Sequence, residues 1–261
     1  AAGAPEQGRS ALDAVELMNY ATQLMREHTP EYTRIHHVIT AGGKAPNVVP
    51  DFAEVYYYVR HPDATVVKDL YRRLILCAEA GAMATETELE IENLAGTHNV
   101  LPNDVLSEVT YRNLVELADI SFDEKEMDFA KRMQEHLEQP RDLALTNEVI
   151  NRQGEISKGS TDVGDVSWVA PTTGFSTTCW VPGTPAHSWQ AVAAGGTTIG
   201  RQGMVLAARV LAATAWDLAT NPEILQQARE ELDERLAGNP YEAMLEPGQA
   251  PPLDYRNPPT Q

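Results

Sequence analysis

The segment GTPAHSW at residues 183–189 holds His187 in a loop punctuated by Gly and Pro, directly after the apolar run FSTTCWV. An imidazole displayed this way is suited to ligating a metal or moving a proton, and the context predicts a ligand presented at a strand end. Upstream, GSTDVGD carries Asp162 and Asp165 in a loop rich in Gly and Thr, the kind of segment where functional side chains concentrate. Zinc chemistry takes about three or four His, Cys, Asp or Glu ligands, so His187 alone leaves a site incomplete. The competing reading is a histidine hydrogen-bonded within a tight turn. His36, His37, His61, His98 and His136 form no HxxxH or HxH pair and read as structural or surface residues, and His28 reads as a cation in the last turn of a helix.

The elements that must hold these groups follow from periodicity. Ser10 with Asp13 at capping-box spacing starts a helix whose stripe is Val15, Met18, Ala21 and Met25. EYTRIHHVIT and DFAEVYYYVR, separated by the turn-like AGGKAPN, read as neighbouring antiparallel strands. In the second, Ala53, Val55, Tyr57 and Val59 share one parity, so Arg60 leaves on the less apolar face, within reach of a ligand. A helix over 65–81 closed by Gly81 follows, then TETELEIEN, whose strict alternation predicts a strand with Glu86, Glu88, Glu90 and Glu92 on a solvated face. The order α, β, β, α, β becomes a ferredoxin-like βαββαβ if one strand precedes residue 1.

Beyond a boundary near 101 the character turns helical, with helices over 103–119 and 124–139. The Gly-punctuated stretch 153–196 is expected to hold one or two short buried strands. Helices over 201–219 and 222–237 follow, the last with Asn221 as cap, Pro222 in its first turn and Gly238 past its end. The Pro-rich C-terminus reads as an extended surface tail. GGTTIGRQG lacks both GK[ST] and GxGxxG and reads as a helix entry rather than a phosphate loop; Ser167 and Ser176 lack a GxSxG elbow.

A chain of 261 residues with net charge −18 repels phosphate backbones and anionic lipid, which argues against nucleic-acid and membrane-surface partners. Cys77 and Cys179, far apart and among apolar neighbours, are expected to be reduced and buried. The first residues show no export signal and no apolar run approaches the roughly 20 residues that span a bilayer, so a cytoplasmic location is expected.

Four separated stretches, APEQGRSALDAVELMNYATQLMREH, RIHHVITAGGKAPNVVPDFAEVYYYVR, GSTDVGDVSW and GTPAHSWQ, together resemble the aminoacylase and glutamate-carboxypeptidase family of dinuclear metallopeptidases over nearly the whole chain. The resemblance implies an α/β architecture. Residues 1–101 would be a ferredoxin-like lid and dimerisation domain, first strand missing, and 102–261 the C-terminal part of a zinc-peptidase-like catalytic domain. It implies hydrolysis of the amide of an N-acyl amino acid, such as p-aminobenzoyl-glutamate, with two zinc or manganese ions, and a homodimer formed through the lid. It assigns His187 as a metal ligand and Asn47 and Arg60 as the pair holding the substrate carboxylate. Asp162 or Asp165 would orient His187 or shape its pocket. The family's HxD-type motif, its acidic pair and its other ligands precede the lid and are absent from these 261 residues. They are expected on a preceding segment or a companion subunit, leaving the chain alone unable to bind two metals or to catalyse. The alternative is a non-catalytic dimerisation and carboxylate-binding piece.

Overall fold

The structure, a computed structural model, describes residues 3–255. The chain divides into two units, the first taking in Ala1–Asn99, Lys158–Asp162 and Glu242–Gln261, the second Val100–Ser157 and Val163–Tyr241.

In the first unit, helix α1 (Ala11–Arg26) starts as its cap predicts, with Ser10 Oγ accepting the Asp13 N–H at 3.2 Å, and it buries Val15, Thr22 and Met25. Strands β1 (Arg34–Ala41) and β2 (Glu54–Arg60) pair antiparallel, with Arg34 opposite Arg60, Ile35 opposite Val59 and His37 opposite Tyr57. Ile35, Val59, His37 and Tyr57 share the inner face. There Tyr57 donates to Asn19 of α1, His37 stacks on Tyr57 with ring centroids 5.0 Å apart, and burial pushes the Tyr57 hydroxyl above its ordinary pKa. Arg34, His36, Tyr58 and Arg60 face outward, as alternation predicts for Arg60.

Helix α2 (Ala64–Thr85), capped by Asp63, runs past Gly81, contrary to expectation. Gly81 is not a terminator but the crossing point of the two helices, since a Cβ there would sit 2.6 Å from the Ala14 carbonyl oxygen of α1. The helix stops instead at Glu86, which adopts the left-handed conformation. Residues 86–94 also depart from expectation and form no strand. Leu89 and Ile91 are exposed there, because alternation makes a strand only where a neighbour takes its N–H and C=O groups. In a βαββαβ sheet that neighbour is the first strand, and no strand precedes α1 among the described residues. The C-terminal segment is no free tail as far as it is described: Gln249 donates to the Asn93 carbonyl at 2.5 Å, and Met244 packs against Gly96. Residues 256–261 lie outside the described residues.

In the second unit the regular elements among the described residues are all helices, chiefly α3 (Asp104–Leu117), α4 (Glu124–Gln134), α5 (Val163–Ser167), α6 (Trp189–Gly195), α7 (Thr198–Thr220) and α8 (Pro222–Leu236), joined by long irregular segments. Asp123 and Glu126 form a full capping box on α4, and Glu126 also accepts from Gln202 of α7. The short strands expected within 153–196 are absent. FSTTCWV has no strand beside it and lies along α7, where Thr177 donates to the Gly203 carbonyl at 2.8 Å. Val181 at its end is buried with Ala130, Met133 and Ile199. Asn221 stands at the start of α8 without capping it; its amide turns back to the Asp217 carbonyl at 2.8 Å. Both thiols are free and half-buried rather than fully buried.

The expectation of no bilayer-length apolar segment is also corrected, since α7 is long and apolar enough by length and composition. It carries Arg201, Arg209 and Asp217, and one side of it packs into the unit, where Leu206 and Val210 meet Ile120.

Glu231 of α8 plugs the start of α3, accepting the N–H groups of Asp104 at 2.8 Å and Val105 at 3.0 Å, and it pairs with Arg235. Burial would raise its pKa, but those donors and Arg235 outweigh burial and hold it below the ordinary glutamate value. A lowered native pKa contributes stability that is whole above the unfolded value and is lost as pH falls through the native one. Thermal melts of Glu231→Gln are therefore expected to show lower stability than wild type at neutral pH, with the gap closing in acid.

Candidate functional site

Within the first unit, the end of β2 sends Arg60 out from the sheet. Its Nη2 donates to the Lys158 carbonyl at 3.0 Å, so the guanidinium is anchored to the segment 158–162 that carries Asp162. Its remaining donors have no carboxylate partner among the described residues. A guanidinium held at one corner and open on its other edges is prepared for a bidentate carboxylate.

Asn47 is placed elsewhere. It lies exposed in the β1–β2 connection, which joins the sheet at Ala41 and Glu54 and is tied to the start of α1 by the Ala11 N–H and Pro50 carbonyl at 3.0 Å. Arg60 is at the opposite end of β2, with about 20 Å of strand between Glu54 and Arg60 by the rise per residue. A single copy therefore does not bring Asn47 and Arg60 to one carboxylate. Asp162 is exposed.

In the second unit, Asp165 faces the Tyr241 hydroxyl, whose pKa is raised first by burial and then by this carboxylate. His187 is an exposed residue with φ of 58°, a left-handed backbone conformation that is uncommon outside glycine. No hydrogen bond joins it to Asp165 among the described residues. The loop that presents it is firmly held. Gly183, at φ 93°, comes so close to residues 139–141 that a Cβ would lie 2.5 Å from the Gln139 carbonyl oxygen. On the far side, Ser188 caps α6, accepting from Ala191 N at 3.2 Å and donating to the Pro185 carbonyl at 2.7 Å. Trp189 meets the His136 ring edge-on at 5.9 Å, and Gln190 donates to the His136 carbonyl at 3.0 Å. Among the described residues the imidazole meets no hydrogen-bond partner, and the turn that presents it is held on both sides. The imidazole leaves a loop held against His136 and residues 139–141 rather than the expected strand end.

Sequence reasoning missed Arg34, the Lys158 carbonyl and Tyr241. Only the strand register pairs Arg34 with Arg60, and the other two partners are distant in sequence.

The residues present do not by themselves fit a metal centre. Among the described residues, no group of three or more His, Cys, Asp or Glu is placed to hold a metal ion. His187 can be at most one ligand of a site completed by other groups.

Comparison with known proteins bears on both units. The family model described as a peptidase dimerisation domain matches residues 1–86. One p-aminobenzoyl-glutamate hydrolase subunit, from Escherichia coli K12, is 36% identical over 268 residues, covering 92% of this chain and 56% of that protein. Xaa-Arg dipeptidases of Mus musculus and Homo sapiens are 30% and 28% identical, over 88% and 89% of this chain and 48% and 47% of their own lengths. The chain thus spans about half the length of the curated relatives it matches.

Proposed function

Since the chain belongs to peptidase family M20, the aminoacylase and glutamate-carboxypeptidase group, we propose that it forms the lid and C-terminal part of a metal-dependent amidohydrolase. Its substrate is an N-acyl amino acid, p-aminobenzoyl-glutamate or a similar N-acyl glutamate. The observation that carries this reading is the exposed, singly anchored guanidinium of Arg60, in a chain that matches part of a hydrolase of that substrate along most of its own length.

Arg60 receives the carboxylate of the leaving amino acid. Asn47, at the far end of β2, reaches the same carboxylate only from a second copy, which pairing through the dimerisation domain would supply. His187 is one ligand of a zinc or manganese site whose other ligands come from a preceding segment or a companion subunit. Asp162 lines the approach beside Arg60, and Asp165 acts through Tyr241. Helix α7 supports the presence of further polypeptide: Met204, Leu211 and Trp216 lie exposed on the side away from the core, and a helix apolar on both sides is normally covered on both. Two-domain M20 architecture, with a ferredoxin-like lid, accommodates all of these assignments.

A second reading, a dimerisation and carboxylate-binding piece without turnover of its own, is favoured by the lack of a metal-holding cluster among the described residues. Release of p-aminobenzoate separates the two. In the assembly isolated from its source, the first reading expects release that stops on chelation and returns with zinc or manganese. Binding of p-aminobenzoyl-glutamate without release in that same assembly would establish the second.

A further inference from the structure

The outer face of the β1–β2 hairpin carries charge that nothing described in the first unit neutralises. Arg34 and Arg60 are directly paired in register, so two arginine side chains leave the sheet from facing positions on one face. Arg34 donates to the Thr33 carbonyl at 2.7 Å and Arg60 to the Lys158 carbonyl at 3.0 Å, and neither meets a carboxylate among the described residues. Like charges opposite one another on a sheet repel, and an anionic ligand placed against them converts that repulsion into attraction.

Next along the same face, Tyr58 lies opposite His36 and is 53% exposed. Beside it on the same face stands Tyr56, whose hydroxyl donates to the Tyr58 hydroxyl at 3.3 Å with ring centroids 5.1 Å apart. Tyr255 in turn meets Tyr56 edge-on at 6.2 Å. The face therefore runs from a guanidinium pair to a braced aromatic platform. Side chains two residues apart on a strand are separated by roughly 7 Å, which is about the reach from the carboxylate of an N-aroyl amino acid to its ring.

We propose that this face reads both ends of an N-aroyl dicarboxylic amino acid. Arg60 holds one carboxylate, Arg34 takes the second, and the aryl ring stacks on Tyr58. Arg34 thereby sets the preference for a dicarboxylic amino acid and Tyr58 the preference for an aromatic acyl group. The inference rests on the reading of Arg60 as the carboxylate binder.

The test is binding to the purified chain by calorimetry and ligand-detected NMR, using p-aminobenzoyl-glutamate, p-aminobenzoyl-glutamine and N-acetylglutamate. Tyr58→Ala is expected to weaken p-aminobenzoyl-glutamate about tenfold and leave N-acetylglutamate nearly unchanged, with Tyr58→Phe restoring the difference. Arg34→Gln is expected to remove the preference for the glutamate ligand over its glutamine counterpart. Equal losses for aryl and acetyl ligands in Tyr58→Ala, or no loss in either, would overturn the platform. An undiminished glutamate preference in Arg34→Gln would overturn the second clamp. Arg60→Ala keeps the two levels apart: if it weakens both glutamate ligands while Tyr58 and Arg34 variants change nothing, the carboxylate reading stands and this inference falls. If wild type binds none of the ligands, both fall.

Discussion

Replacing Arg60 by alanine is expected to weaken p-aminobenzoyl-glutamate binding by about 3 kcal/mol, roughly a hundredfold in Kd, because a carboxylate would lose charge-assisted hydrogen bonds. The fold should be indifferent. Arg60 is exposed at the end of β2, and its one hydrogen bond among the described residues goes to the Lys158 carbonyl, at the surface. Arg60→Lys separates charge from shape. It keeps a cation but loses the planar fork, so it should fall between wild type and alanine. Titration of both variants, alongside thermal melts, checks this. Equal binding in all forms would remove Arg60 from substrate recognition.

The largest structural effect is expected at Gly203, where α7 meets the FSTTCWV segment. A Cβ there would overlap the Thr178 carbonyl oxygen and come within 2.6 Å of Cys179 Sγ. Most of the obstruction is backbone, which cannot swing aside as a side chain can. Gly203→Val should therefore cost about 3 kcal/mol or more, lowering the melting midpoint by roughly 10 °C. The displaced segment leads through Val181 and Gly183 into the loop holding His187, so the same variant should loosen the imidazole's position. Ala208→Val, on the exposed side of the same helix, serves as control and should change stability by less than about 0.5 kcal/mol. Differential scanning calorimetry of the pair gives the comparison.

What could be read from the sequence was whatever depends on near neighbours. Ser10 with Asp13 places a helix start because a cap and its N–H are three residues apart. Alternation in β2 sends Arg60 outward for the same local reason. Most of the failures need a distant partner, Asn221 with its bond to Asp217 four residues back being a local exception. Gly81 and Gly203 look like helix breakers or permissive positions until the element crossing each is known. TETELEIEN has the alternation of a strand but no ladder to join, and FSTTCWV is buried by a helix rather than a sheet.

The site divides in the same way. A histidine in a Gly/Pro loop stands out in one dimension, but the rigid turn beneath it depends on residues 139–141. Arg34 draws no attention as a residue beside a histidine pair. Only the register, left open by the long connection between the strands, sets it against Arg60. The separation of Asn47 from Arg60 was likewise hidden, because a spacing of thirteen residues does not say whether the chain folds back or runs on.

The reading that this chain holds the carboxylate while contributing a single metal ligand meets its most direct test in metal content. The purified 261-residue protein, dialysed against zinc and manganese and then against buffer, should retain well under one ion per chain by elemental analysis. Retention of roughly two ions per chain, the complement of a dinuclear hydrolase, would contradict it and mean that the chain carries a complete centre.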